Sequence, residues 1–217
     1  KISFAKTALT IIDVGAHKGE TIDIFYKNFN INKIFAFEAN PLMFDKIKKK
    51  IGKKKYNEKI VLFKNGLGDK EEIKTLNIFN DTSSSTFNPI NKKNDYYKRK
   101  KFILSIFNLT NIFFHKKILS EIKTLENFEF IFLEKNIDIL KIDTEGYEYN
   151  VLKGMNSNQF KKLKYIYFEH HYDLMLNKNY KFADINLLLN KKDFYMKFKS
   201  KMNFRKTFEY IYENKYQ

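Results

Sequence analysis

The residues best placed to do chemistry lie between Thr10 and Pro41, where the chain reads T-I-I-D-V-G-A-H-K-G-E and, further on, K-I-F-A-F-E-A-N-P. Asp13, Gly15 and Gly19 follow a short apolar run, and Glu38 ends a second such run 19 residues beyond Gly19. A glycine turn after a buried strand lets backbone come close to a ligand and aims the next helix N-terminus at it. An acid about 20 residues further on is placed to accept both hydroxyls of a ribose. Together these features describe a nucleotide-type cofactor held between two strand ends.

The glycine spacing narrows the cofactor. A dinucleotide pyrophosphate calls for G-x-G-x-x-G, whereas this turn is G-x-x-x-G with Asp13 just before it. A carboxylate there would repel a pyrophosphate and suits a cationic ligand. S-adenosylmethionine carries a sulfonium and an ammonium, so Asp13 near its amino-acid end and Glu38 at its ribose are electrostatically consistent.

Positioning these groups requires alternating strands and helices, which predicts an α/β fold with a mostly parallel sheet covered on both faces. Strands are expected over residues 9–14, 34–37, 60–63, 137–142 and 165–168, with a closing hairpin from 194–198 and 207–212. Helices are expected over 18–29, from Pro41 behind an Asn40 cap with Leu42, Phe44 and Ile47 as its apolar side, over 125–134, after Glu148, and over 182–189. Residues 71–79 alternate as an added strand, and 118–125 look extended. The segment 88–117 has no place in a minimal sheet and reads as an insertion in a single domain, able to cap a substrate site. Its apolar stretch from Phe102 to Phe114 could be a helix packed on the domain, a lid, or a membrane-surface contact. Ligands of open parallel sheets bind beyond the carboxyl ends of the strands, so Asp13, Glu38, Asp143 and Glu169 to His171 should gather on one rim.

The 217 residues suffice for one domain with a substantial core. There is no cysteine, which excludes disulfides and thiolate metal sites. No secretory leader is visible, and no apolar run is long enough to span a bilayer, so a cytoplasmic location is expected. The net charge of +16 invites a nucleic-acid reading. It is discounted because nearly all of that charge is lysine, with Arg99 and Arg205 the sole arginines, and Arg is the side chain suited to bidentate phosphate contacts.

Aligned in this way, the chain resembles the FkbM-type methyltransferases, a branch of the S-adenosylmethionine-dependent class I fold. The resemblance rests on D-V-G-A-H-K-G-E at Asp13 to Glu20, F-E-A-N-P at Phe37 to Pro41, N-G-L-G-D at Asn65 to Asp69, the serines from Ser83, L-K-I-D-T-E-G-Y-E at Leu140 to Glu148, and V-L-K-G at Val151 to Gly154. It covers about residues 9 to 170. His17 stands where the family commonly has Asn.

The resemblance implies a three-layer Rossmann-like fold, a seven-stranded sheet with a C-terminal antiparallel hairpin, and S-adenosyl-L-methionine as cofactor. The contacts it implies to that cofactor are Asp13, Gly15, Ala16, His17, Gly19, Glu38, Ala39, Asn40, Gly66, Leu67 and Asp143. The implied reaction is methyl transfer to an oxygen, typically a hydroxyl of a sugar, glycan or small metabolite. An in-line displacement of that kind needs the hydroxyl held behind the methyl carbon and its proton removed. Asp143 and Glu145 are the first candidates for the base. His170 is a further one, since histidine titrates near neutral pH. No metal is called for. Two alternatives stay open, RNA methylation and a degenerate fold serving as a binding or membrane-surface module.

Overall fold

The computed structural model describes residues 7–79, 85–106, 115–202 and 206–217. Its main sheet has seven strands, β1 (Leu9–Val14), β2 (Ile31–Phe37), β3 (Ile60–Phe63), β8 (Ile137–Ile142), β9 (Leu163–His171), β10 (Phe194–Lys201) and β11 (Thr207–Asn214). They lie in the order β10-β11-β9-β8-β1-β2-β3. β1 pairs in parallel with β2 and β8, β2 with β3, and β8 with β9, while β11 runs antiparallel to both β9 and β10. The order reverses direction at β1, and there a ligand crevice opens.

The apolar runs become buried strands because both faces of the sheet are covered. One face packs Ile12, Val14, Phe37, Ile142, Phe168 and Tyr210 into the larger core. The other packs Ile11, Ile34, Ala36, Ile139 and Tyr165 against α1 (Glu20–Asn28) and α2 (Pro41–Ile51). Asn40 caps α2 by accepting from the Leu42 N–H at 3.1 Å, with Pro41 at the first helical position as expected. The expected apolar side of α2 is corrected. Met43, Ile47 and Ile51, at i, i+4 and i+8, are the buried residues, and Leu42 is exposed.

The largest departure from expectation is a second, four-stranded sheet. It comprises β4 (Gly66–Leu67), β5 (Glu72–Phe79), β6 (Ser85–Thr86) and β7 (His115–Lys123), in the order β4-β7-β5-β6. β5 and β7 pair antiparallel from Glu72↔Ile122 to Phe79↔His115, so the inserted segment is the far end of a long hairpin. Within that segment α3 spans Asp95–Ile106. The remainder of the Phe102 to Phe114 stretch, and Ser83 and Ser84 of the serine run, lie outside the described residues. Residues 125–133 form 3₁₀ turns with a kink at Phe128 instead of an α-helix. Short helices α4 (Glu148–Lys153) and α5 (Ser157–Lys162) follow β8, and α6 (Phe182–Lys191) precedes β10. Among the described residues no helix is long and apolar enough to cross a membrane.

Candidate active site

β1 delivers its chain end to the crevice through a turn that its neighbours dictate. Gly15 has φ +82°, and the Gly15 and Ala16 N–H groups both donate to the Phe37 carbonyl at 3.0 Å. A Cβ on Gly15 would sit 1.9 Å from the Asp143 carbonyl oxygen, so this position needs glycine for its conformation and for the close approach of β8. The turn then carries His17 at φ +50°, aiming its N–H at Glu38 Oε2, 2.7 Å away. The Asn40 N–H donates to Glu38 Oε1 at 2.8 Å. Glu38 is therefore held by two backbone amides, one from each side of the crevice. Burial pushes its carboxyl up to about 7, although both amides pull the other way.

Parallel registration sets Asp13 beside Lys141. Lys141 Nζ donates to Asp13 Oδ1 at 2.9 Å and stands 3.7 Å from Asp143 Oδ2. Burial alone would lower the Lys141 pKa, but Asp13 and Asp143 outweigh it and the net shift is upward, so the lysine stays charged. Asp13 is fully buried, and its Oδ2 has no hydrogen-bond partner among the described residues. Just past β8, burial raises the Asp143 carboxyl, with Glu145 and Glu148 adding to the shift and Lys141 opposing it. Glu169, inside β9, is pushed up to about 7 by burial and by Asp143 and Glu145.

Glu145 has φ +50°, and its Oε2 stands 3.1 Å from His171 Nε2. Burial disfavours the His171 cation, but Asp173 and Glu145 outweigh it and push the imidazole up to about 10, so His171 is the cationic partner of this acidic rim. The loop between β8 and α4 is pinned from three directions. Glu148, fully buried, accepts from the Gly146 N–H at 2.7 Å and from Tyr180 Oη at 2.5 Å. β6 and the start of the insertion supply the rest, with Thr86 Oγ1 donating to the Glu145 carbonyl at 2.8 Å and Asn88 Nδ2 to the Gly146 carbonyl at 2.6 Å.

These elements enclose a cavity of about 290 Å³. The β1 turn and Glu38 form one side, Asp143, Thr144, Glu145 and Glu169 the rim, and Gly66, Leu67, Leu76, Ser85 and Phe87 of the second sheet the far wall. The second sheet is thus part of the site. Two further motifs meet behind that wall, since a Cβ on Gly154 would lie 1.9 Å from the Gly68 carbonyl oxygen. Lys153 Nζ also binds Asp69 Oδ2 at 2.5 Å there. Among the described residues no group of three or more His, Asp or Glu side chains is arranged to hold a metal ion.

A family model, the methyltransferase FkbM domain, matches residues 13–196, a span holding the glycine turn, Glu38, the inserted hairpin and the rim. The chain belongs to the FkbM methyltransferase family. Among solved structures, the methyltransferase FkbM from Methylobacillus flagellatus KT superposes with a TM-score of 0.61 at 12% identity, over 98% of this chain and 44% of that one. TrmK from M. capricolum, solved with S-adenosyl-homocysteine, gives 0.51 at 12% identity over 97% and 64%. A putative tRNA (m1A22) methyltransferase from Streptococcus pneumoniae gives 0.52 at 12% identity over 97% and 66%. This chain therefore spans less than two thirds of the length of each of these proteins, and at such identities the likeness is one of fold. No curated protein matches the sequence.

In this FkbM-family site, Gly15, Ala16, His17, Glu38, Ala39, Gly66, Leu67, Asp143 and Glu145 line the cavity together. Four expected residues stand apart from its lining. Asp13 is buried behind it against Lys141. Gly19 caps α1 at φ +74°, packed against Ile47. Asn40 acts through its backbone amide on Glu38, while its side chain caps α2 and reaches Ser85 Oγ at 3.3 Å. His170 turns away from the expected rim. On β9, side chains alternate, so His170 points with Phe168 to the face opposite Glu169. There it is 2% exposed among Tyr172, Tyr180 and Phe182. Burial, helped by Lys178 and His171, pushes it down to about 3.

Sequence reasoning placed Glu169 on the rim without giving it a role, and passed over Thr144, Ser85 and Phe87 as members of the lining. For Glu169 the signal was present: residues 165, 167 and 169 share a strand face with Lys141 and Asp143 across the β8–β9 register.

Proposed function

We propose that this chain is an S-adenosylmethionine-dependent methyltransferase acting on a hydroxyl of a small molecule, sugar or glycan. The observation that carries this reading is Glu38, a buried carboxylate held at the cavity edge by one amide from each flanking loop. Each of its oxygens keeps acceptor capacity, which suits the two hydroxyls of a ribose. The Gly15 turn leaves room beside it for close backbone approach, and the apolar Leu67, Leu76 and Phe87 suit the flat face of an adenine. The residues present therefore fit the cofactor, with Gly15, Ala16, His17, Glu38, Ala39, Gly66 and Leu67 as its holders.

When bound, the cofactor supplies an activated methyl group on a sulfonium. Asp143, Glu145 and Glu169 surround the site with negative charge, which favours a cationic ligand. An acceptor hydroxyl must be held and lose its proton. Glu169 suits that step, because a carboxyl near 7 is partly ionised at neutral pH and basic enough to take a proton. Asp143 shares the rim and, through Lys141, is tied to Asp13. Glu145, paired with His171, orients the rim. Thr86 and Asn88 hold the loop that carries Glu145 through their bonds to the Glu145 and Gly146 carbonyls.

RNA is the weaker acceptor reading despite the overall charge of +16. The cation at the centre of the rim, Lys141, is already paired with Asp13, and the other charged groups there include four carboxylates, Glu20, Asp143, Glu145 and Glu169. Phosphates would meet like charge at the point of chemistry.

Calorimetric titration with S-adenosylhomocysteine tests the reading. Wild type should bind at one site, and Glu38→Ala should weaken binding by roughly 100-fold, the loss expected for two charge-assisted hydrogen bonds. Equal affinity in both proteins would remove Glu38 from the cofactor site.

A further inference from the structure

A second cavity lies against the first. It has a volume of about 370 Å³ and is walled by Ile24 of α1, by Phe29 just beyond that helix, and by Tyr165, Tyr167 and Ile211 of the sheet. Thr21, Lys141, Asp143 and Glu169 line it and border the cofactor cavity as well. The geometry points to this groove as the acceptor site, taking an uncharged hydroxylated molecule whose aromatic body lies between Phe29 and Tyr167 and whose hydroxyl reaches Glu169. This assignment rests on the methyltransferase reading and names the acceptor class within it.

Three observations converge on that class. First, the two cavities meet at the carboxylates, so a group in the groove and a group in the cofactor cavity approach each other there. Second, the walls are aromatic and aliphatic, and the tyrosine hydroxyls are already engaged. Tyr165 Oη donates to Glu213 at 2.8 Å and Tyr167 Oη to Glu209 at 2.6 Å, which fixes the rings as apolar faces. Such faces favour a stacked ring and offer a phosphorylated or carboxylated acceptor no counter-charge. Third, the polar end is negative. Lys141 is shared between Asp13 and Asp143, leaving Glu169 to face the acceptor, which disfavours an anion and accepts a hydroxyl proton.

The test uses the whole chain saturated with S-adenosylhomocysteine and 4-nitrophenyl β-D-glucopyranoside as probe, its binding followed by equilibrium dialysis. Methyl β-D-glucopyranoside and glucose 6-phosphate serve as the non-aromatic and anionic counterparts. Ile24→Lys and Ile211→Lys place a charge in the groove at residues outside the cofactor cavity. Ile24 is 57% exposed, so its variant keeps the test open should Ile211→Lys fail to fold.

The expected result is binding of the aryl glucoside at least about tenfold tighter than the methyl glucoside, with no binding of the phosphate. In the variants the aryl glucoside should weaken by about the same factor while S-adenosylhomocysteine affinity stays as in wild type. Equal binding of aryl and methyl glucosides, or variants that bind the aryl glucoside as wild type does, would overturn the assignment. So would a wild-type dimer in sedimentation that Ile24→Lys dissociates, because a second copy would then occupy the groove. Failure of wild type to bind S-adenosylhomocysteine is a different outcome, which removes the methyltransferase reading and the acceptor assignment with it.

Discussion

The two halves of the cavity hold their carboxylates in different ways. On the side of β1 and β2, Glu38 is fixed by backbone, through the N–H groups of His17 and Asn40. On the side of β8, Asp143 and Glu145 are set by side chains drawn from distant parts of the chain, through Lys141, His171 and the Thr86 and Asn88 bonds to their loop. A backbone-built half tolerates few residue types at its turns. A side-chain-built half can be re-tuned by single substitutions, which suits the part of an enzyme that distinguishes acceptors.

The sharpest way to break the backbone-built half is Gly15→Ala. The added Cβ would overlap the Asp143 carbonyl, which is main chain and has nowhere to retreat. A loss of roughly 4 kcal/mol or more in urea unfolding is expected, at the upper end of single-substitution effects, with no measurable S-adenosylhomocysteine binding. A variant of wild-type stability would mean that the close approach of the turn to β8 is not a constraint.

The contrast also bears on what the sequence made legible. The glycine turn, Glu38 and the Asn40–Pro41 helix start were readable because backbone geometry restricts residue type at fixed spacing, and a linear motif records that restriction. The parallel strands were readable as apolar runs, since both of their faces are buried. The second sheet was not, because the pairing of β5 with β7 joins segments separated by the whole insertion, and neither carries a turn signal pointing to the other. His170 and Glu169 are adjacent in sequence, yet strand alternation sends one into an aromatic core and the other to the rim. Histidine's intrinsic pKa made His170 the expected base, whereas burial reverses the order of the two basicities.

A pH series sharpens the comparison from the cofactor side. Glu38 rises from an ordinary 4.5 to about 7 on folding, so the folded chain binds more protons than the unfolded chain between those values. Its contribution to stability is therefore fully present below about pH 4.5 and is lost as pH rises through 7, a change of roughly 3 kcal/mol. Glu38→Gln should remove that share of the slope in urea unfolding. Binding of S-adenosylhomocysteine should run the other way, since ribose hydroxyls are best accepted by the ionised carboxylate. Affinity should fall by about tenfold from about pH 8 to about pH 6, and an affinity flat across that range would separate Glu38 from the ribose.

On the side-chain-built half, Asn88→Ala removes one buried bond to the Gly146 carbonyl and leaves the cofactor lining intact. A loss of about 1–2 kcal/mol in stability is expected, with turnover of a productive acceptor reduced several-fold and S-adenosylhomocysteine affinity unchanged. Parallel losses in turnover and cofactor affinity would show that the insertion supports both halves alike.

The smallest effect is expected at His170, and it discriminates between a rim histidine and a core one. Its Nδ1 has no hydrogen-bond partner among the described residues, and its ring packs edge-on to Tyr172 at 4.8 Å between centroids. His170→Phe would replace a buried polar ring by an apolar one of similar shape in an aromatic cluster, so stability should change by less than about 1.5 kcal/mol in either direction. Turnover and its pH profile should match wild type, because a histidine held near 3 and turned from the cavity stays uncharged and does not titrate in the neutral range. A lost acid limb in the rate profile of His170→Phe would place a working base on the opposite face of β9 and reassign proton removal from Glu169. An unchanged profile leaves the proton with the carboxylates, and the side-chain-built half of the cavity then owes its basicity to burial and mutual repulsion among Asp143, Glu145 and Glu169.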